Sequence, residues 1–444
     1  MLTRLTTPLA AAGVLILAAL PAAAQDTDRD AEIRRRIAVL EQQLAELKAL
    51  VDERRPAAPQ ATVSRDQLIA DDSLHGLQFG AALDTYYDYN FNQPIGRVNL
   101  LRAYDVTSNN FSLNQANLIV ESPPNLDAGR RLGGRLDLQY GQATETLQGS
   151  GVNEPRPQVY RNIFQAYGTY VFPVGRGLTL DFGKWASALG FENNYVKDQI
   201  NYSRSYWFNF LPFYHTGARV NYKINDGIAL NYWITNGTQQ TEAFNNFKDQ
   251  LAGVVLQPAQ SVTWSVQYYL GQEHRDVEPA LNPGLPTIPT QPGLSITPVV
   301  PYFPGKLHIF DTYATWQASP RTTIGVEGDW VLSRSQPPAA DSRVYGGAVY
   351  AKRQLTDKTA LAGRAEFMRD HGGLFSGVTQ SLKETTVTYD YRPAADGFLI
   401  RAEWRRDFSD TPFFLTDTAG SVKDDQQTAT LGLVWWWGNK RQAW

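Results

Sequence analysis

The sequence predicts an all-β fold: a transmembrane antiparallel β-barrel of about sixteen strands (range about 12–18), preceded by a short N-terminal coiled-coil helix. Three observations lead there. From Leu77 onward apolar and polar residues alternate with a period of two, the mark of strands with one apolar and one polar face. Many of these segments run to about ten residues or more, longer than usual strands of soluble sheets and right for a tilted strand crossing a bilayer. Short connectors alternate with long ones, as the two rims of such a barrel require.

Composition narrows the field. The chain has 444 residues, 12% aromatic, with a net charge of −3 and no cysteine. The lack of cysteine excludes disulfides, thiolate metal sites and cysteine nucleophiles. A nearly balanced charge gives no electrostatic case for nucleic acid. Residues 1–24 place Arg4 before an apolar run through Leu20 and Ala22-Ala23-Ala24 before Gln25, which reads as a secretory signal peptide.

Residues 29–53 follow as a helix. Ile33, Ile37, Leu40, Leu44, Leu47 and Val51 are spaced 4, 3, 4, 3 and 4, an a/d seam with charged residues on the other faces. Such a short seam assists an oligomer held together elsewhere. A homo-oligomer is expected, a trimer being favoured, with the helix in the periplasm. Residues 54–76 open with RRPAAPQAT and form a linker.

Residues 77–444 are the expected barrel. In LQFGAALDTYYDY the residues Leu77, Phe79, Ala81, Leu83, Tyr87 and Tyr89 share one face, while Gln78, Gly80, Ala82, Asp84, Tyr86 and Asp88 share the other. GRLDLQYG, SVTWSVQYYLG, TIGVEGDW, LAGRAEF and FLIRAEWR alternate in the same way. Strands are expected to start near 77, 111, 133, 161, 177, 213, 227, 250, 261, 306, 321, 343, 358, 381, 396 and 426. Tight turns fall at 173–177, 224–226, 258–260, 319–321, 355–358 and 393–396, with long loops between them. The final strand, TATLGLVWWWG, sets Ala429, Leu431, Leu433, Trp435 and Trp437 outward and Trp436 inward. Trp435 and Trp437 suit the lipid–water boundary. Closure requires this strand to pair with the one at Leu77.

Three blocks carry a resemblance: NNFSLNQANLIVESP (109–123), LTLDFGKWASALGFE (178–192) and NYSRSYWFNFLPFYHTGARVNYKINDGIALNYWITNG (201–237). With them the chain from about Leu77 to Trp444 resembles the β-barrel porin-2 (OmpL-like) family of Gram-negative outer membranes. The resemblance implies an outer-membrane barrel, contact with outer-membrane lipid and passive diffusion of small hydrophilic solutes. It supplies no catalytic residues. The heptads lie outside the resemblance, and GNKRQAW displaces the terminal aromatic Trp444 from the strand end.

A barrel of about sixteen strands has a lumen too wide for side chains to fill. Its expected pore lining carries both signs: Arg135, Arg219, Lys223, Arg364, Arg401 and Arg405 against Asp84, Asp88, Asp137, Asp181, Asp311, Glu327, Asp329, Glu366, Glu384 and Glu403. The mixture predicts weak selectivity, leaning to cations. Residues 186–212 are the expected constriction loop. They hold Lys197, Tyr202, Arg204, Tyr206, Trp207 and Phe208, aromatic surface that gains by leaving water. The proline-rich 272–304 reads as an extracellular lid or mobile tip. Asp407, Asp410, Asp417, Asp424 and Asp425 read as solvated loop charges, since their spacing matches no calcium motif. No catalytic motif surrounds the five histidines, and His215 reads as a hydrogen-bonded lining residue. No metal or cofactor is expected. The alternatives to a porin are a structural tether or adhesin with a plugged barrel and, less favoured, an outer-membrane hydrolase.

Overall fold

The computed structural model describes residues 76–148, 154, 156–279, 305–334, 340–394, 397–440 and 444, with short pieces between 35 and 42 and between 289 and 301. The signal peptide, the seam residues of the heptads and the linker up to residue 75 lie outside the described residues. The chain divides into two units, residues 1–68 and 69–444, and the barrel lies in the second.

Its strands are β1 (Gln78–Asn90), β2 (Asn110–Ser122), β3 (Leu132–Tyr140), β4 (Ile163–Phe172), β5 (Leu178–Ala186), β6 (Tyr214–Asn225), β7 (Ile228–Thr235) and β8 (Asp249–Ala259). They continue as β9 (Val262–Gly271), β10 (Leu307–Ser319), β11 (Thr322–Ser333), β12 (Ser342–Gln354), β13 (Thr359–His371), β14 (Gln380–Tyr391), β15 (Phe398–Ser409) and β16 (Asp425–Gly438). Each pairs with its sequence neighbour in one closed antiparallel sheet. The cylinder closes between β16 and β1, in a register that sets Leu83 against Trp435 and Tyr87 against Leu431. Closure leaves no unpaired backbone edge facing lipid. Every strand begins within two residues of its expected start.

The alternation in the sequence sorts the two faces as expected. Phe79, Leu136, Trp264, Val326, Leu361, Trp404 and Leu431 are exposed on the outside, and Phe111 is 85% exposed. In water such a band would be an aggregation hazard; in a bilayer it meets hydrocarbon. Trp437 lies outside, while Trp436 packs against the interior clusters.

The apolar core is inside the cylinder. Trp185, Tyr206, Trp207, Tyr269, Tyr350 and Met368 belong to one buried cluster there. Much of it comes from loops that turn inward. Residues 187–213 do so most deeply. Residues 91–109 contribute buried Arg102, Tyr104 and Asp105, and the helix Gln142–Gln148 buries Ala143 and Leu147.

Candidate functional site

Residues 187–213 leave the outer end of β5, cross the interior and return to β6. The segment contains a 3₁₀ turn, Val196–Asp198, and a short helix, Tyr206–Phe210. Ser205 caps that helix, its hydroxyl accepting from the Phe208 amide at 2.9 Å. A chain in this position brings backbone polar groups out of water, and each needs a partner.

The charged wall supplies them. Carboxylates accept from segment amides: Glu403 from Tyr202 (2.6 Å) and Ser203 (2.9 Å), and Glu366 from Tyr206 (2.9 Å). Nearer the segment's start, Glu327 accepts from Phe191 (2.8 Å) and Asp311 from Gly190 (3.0 Å). Arginines donate to segment carbonyls: Arg401 to Val196 and Asn201 at 2.9 Å each, Arg364 to Ser203 at 2.8 Å, and Arg405 to Arg204. These arginines are fully buried and are neutralised in place. Arg364 meets Glu384 and Glu192 at 2.9 Å each, Arg401 meets Asp390 at 3.0 Å, and Arg405 meets Asp407 at 2.7 Å. Charge-assisted bonds of this kind are short and about twice as strong as neutral ones.

Side chains fix the rest. The Tyr202 hydroxyl donates to Asp84 at 3.0 Å, and that of Tyr206 to Asp407 at 2.7 Å. Burial pushes both phenols well above their ordinary range, so they stay neutral donors. Tyr195 bonds Asp137 through its hydroxyl. Arg204 lies between the Tyr104 and Phe208 rings, 5.1 and 5.3 Å from their centres. Trp207 is fully buried. Lys197 pairs with Asp198 at 2.7 Å and stands 4.6 Å from the Trp444 ring. Burial lowers its ammonium below the ordinary lysine range in spite of that partner.

Of the remaining expected lining residues, Asp88 accepts from Asn99 at 2.8 Å. Arg135 pairs with Asp137 at 2.9 Å and Arg219 with Asp181 at 2.7 Å. Lys223 stands at the rim beside Asp226. Asp329 faces Asp311 across the β10–β11 ladder. Between β3–β6 and the segment there remains a cavity of about 290 Å³, lined by Arg135, Gln165, Tyr167, Tyr195, Phe208, Arg219 and Trp444 among others. His215 is buried; Nε2 lies 3.1 Å from the Ser187 hydroxyl and Nδ1 3.3 Å from the Gly237 carbonyl. No carboxylate orients it among the described residues.

Two of the expected loop charges are corrected: Asp425 opens β16 and pairs with Arg406 at 3.0 Å. Asp407 is no solvated loop charge. It sits near the end of β15, buried, and accepts from Arg102, Arg405 and Tyr206. The strand runs on to Ser409, and Arg102, arriving from residues 91–109, balances the buried carboxylate at 2.8 Å.

Sequence reasoning missed four features. Arg102 carries no local signal, since it stands among Leu100, Leu101, Ala103 and Tyr104 in a loop without a strand period. Glu192 lies inside the expected segment but was not singled out. Gly432 and Gly325 are sockets: a Cβ on either would come within 2.4 Å of the Tyr202 or Phe191 ring. Glycine at an inward register position was the available signal, since it marks close approach by another part of the chain. Trp444 turns back into the interior, its amide donating to Asp198 at 3.0 Å and its ring set against Gly80.

Comparisons with known proteins agree with this architecture. The family model described as "Putative beta-barrel porin-2, OmpL-like" matches residues 76–435. The outer membrane channel DcaP of Acinetobacter baumannii is similar in structure, with a TM-score of 0.51 at 10% identity over 81% of this chain and 97% of that one. OprB of Pseudomonas putida gives 0.50 at 10% identity, over 84% of this chain and 96% of that one. At such identities the likeness concerns the fold alone. No curated protein matches the chain. The matched span runs from the threshold of the opening strand into the closing one and takes in the whole interior segment; this outer-membrane barrel belongs to the β-barrel porin-2, OmpL-like, family of porins.

Proposed function

We propose that the barrel is a channel for passive diffusion of small hydrophilic solutes or ions, with residues 187–213 as its constriction, and that it performs no catalysis. The observation that carries this reading is the pinning of the segment to the wall on several sides, through Glu403, Glu366, Arg401 and Arg364. A built constriction suits a sieve. The solute path would run beside the segment, past Arg135 and Arg219.

The selectivity we infer differs from the cation preference expected from composition. That expectation counted Asp84, Asp88, Asp137, Asp181, Glu366 and Glu403, all of which are buried. Water reaches a different set on the inner half of the wall: Arg135, Arg219, Lys223 and Lys352 against Glu121 and Asp226. Rings of basic residues favour anions, so a weak anion preference is proposed. The heptads at 29–53 support a homo-oligomer, a trimer by preference, with their helix in the periplasm.

Planar-bilayer recording on the purified, refolded protein tests the proposal. Stable ohmic steps are expected, and a salt gradient is expected to give a reversal potential of the sign for anions. Deletion of residues 195–208 is expected to raise single-channel conductance; an unchanged value would remove the segment from its assigned role. The filling of the lumen by residues 187–213 also favours a second reading, a plugged tether. Silence in the bilayer from a correctly folded sample would select it.

A further inference from the structure

Three carboxylates stand together on the inner face of β10 and β11. Asp311 and Asp329 are direct cross-strand partners, and Glu327 lies opposite Tyr313, two residues along the same ladder. One oxygen from each of the three lies within 4.8 Å of the others. They are 2%, 7% and 5% exposed for Asp311, Glu327 and Asp329. Like charges directly opposite in a sheet repel, and burial strengthens the repulsion. Elsewhere in this interior Glu384, Asp390 and Asp407 each meet an arginine. Among the described residues Asp311, Glu327 and Asp329 have no ion-pair partner.

A second observation points to a missing positive group. Gly190, Phe191 and Tyr350 satisfy part of Asp311 and Glu327. Both carboxylate oxygens of Asp329 lack a hydrogen-bond donor, although the residue is buried. Gln267 adds a third such acceptor. Its amide nitrogen donates to the Ala188 carbonyl and reaches Asp311 at 3.4 Å, while its Oε1 is buried and unpartnered. Three acceptors thus lack donors, two within the triple acid and one on Gln267, the cross-strand partner of Asp311, and each uncompensated one is costly. The donor set is all oxygen, mixing carboxylate with amide carbonyl. Hard cations take such sets, and the larger, more adaptable calcium accepts an irregular one more readily than magnesium, which demands near-octahedral geometry.

The geometry points to a calcium site formed by Asp311, Glu327, Asp329 and the Gln267 carbonyl, at the root of the segment that crosses the barrel. The position matters because Asp311 and Glu327 also hold the Gly190 and Phe191 amides. Gly190 has φ +87, and a Cβ there would lie 3.3 Å from Glu327 Oε1. Only a residue without one lets the backbone settle so close in that conformation. A cation here ties two wall strands to the start of the segment. The inference stands apart from the channel proposal, since an impermeable barrel could hold the ion equally well.

The test is calcium binding by the full, detergent-solubilised protein, stripped with a chelator and titrated with calcium alone. About one equivalent is expected in the wild type that Asp329→Asn loses, or binds about tenfold or more weakly, together with a calcium-dependent rise in the unfolding midpoint. Glu327→Gln serves in its place should Asp329→Asn not fold. Absence of binding by the wild type would overturn the site, leaving protons to share the three carboxylates. Equal binding by the wild type and the folded variant would also overturn it, by placing the ion elsewhere.

Discussion

Two patches of the same inner wall bury acidic groups by opposite means. On β13–β15, Glu366, Glu384, Asp390 and Asp407 are interleaved with Arg364, Arg401 and Arg405, so charge is cancelled side chain by side chain. On β10–β11, Asp311, Glu327 and Asp329 have each other. Both patches hold the crossing segment through its backbone. The first uses carboxylates for amides and guanidinium groups for carbonyls, and with Arg102 and Lys352 from neighbouring elements its acids are met by the chain's own cations. The second offers only acceptors and is complete only with a proton or a cation. The contrast teaches that the mixed charge of this wall is mainly an adaptation to a chain running through the lumen. Solute selection draws on the few charges left in contact with water.

The comparison can be broken at its strong side first. Arg364→Met would strand Glu192 and leave Glu384 with Arg405 alone, at 3.6 Å, and removing one partner of a buried pair costs about 3–5 kcal/mol. The expected outcome is a large fall in the unfolding midpoint, read by circular dichroism, with noisier and larger conductance steps as the segment loosens. Packing can then be set against charge. Gly432→Ala would push a methyl group into the Tyr202 ring, and overpacking of this kind costs about 1–3 kcal/mol. Should it loosen the segment as much as Arg364→Met, ring packing would rank with the ion pairs as an anchor. The smallest effect belongs to the other patch. In calcium-free solution Asp329→Asn relieves repulsion and supplies a donor, so its unfolding midpoint is expected to equal or slightly exceed that of the wild type. A destabilisation there as large as that of Arg364→Met would show that the two patches do not differ in kind.

The strands were legible because a lipid-facing and a water-facing side impose a strict period of two, and a slip of one residue would reverse every side chain. Phe79, Leu83 and Tyr87 could therefore be placed outward, and Asp84 and Asp88 inward, from spacing alone. Aromatic content likewise marked residues 186–212 as a segment that would not stay in water. The identity of its partners was not legible. Arg401 meets Val196 and Glu403 meets Tyr202 only because a closed cylinder brings distant strands to one axis. Arg102 and Trp444 were missed for the same reason: each is placed by the cylinder's interior and has no local pattern. Asp407 was misread because a short polar run at a strand end looks like a loop until the group that neutralises it is known.

The separation of these partners along the chain has a consequence for assembly. Arg401 and Val196 are 205 residues apart, and Arg364 and Ser203 are 161 apart. Contacts between such remote positions form late, because the loop between them must first be closed. Residues 187–213 are therefore held only in part, through Asp137, Asp311 and Glu327, until β13–β15 have been delivered and the tube has rolled shut. The inside of this molecule is furnished last, and a chain halted before β15 would have a wall but would lack Arg401 and Glu403, which grip the middle of its crossbar.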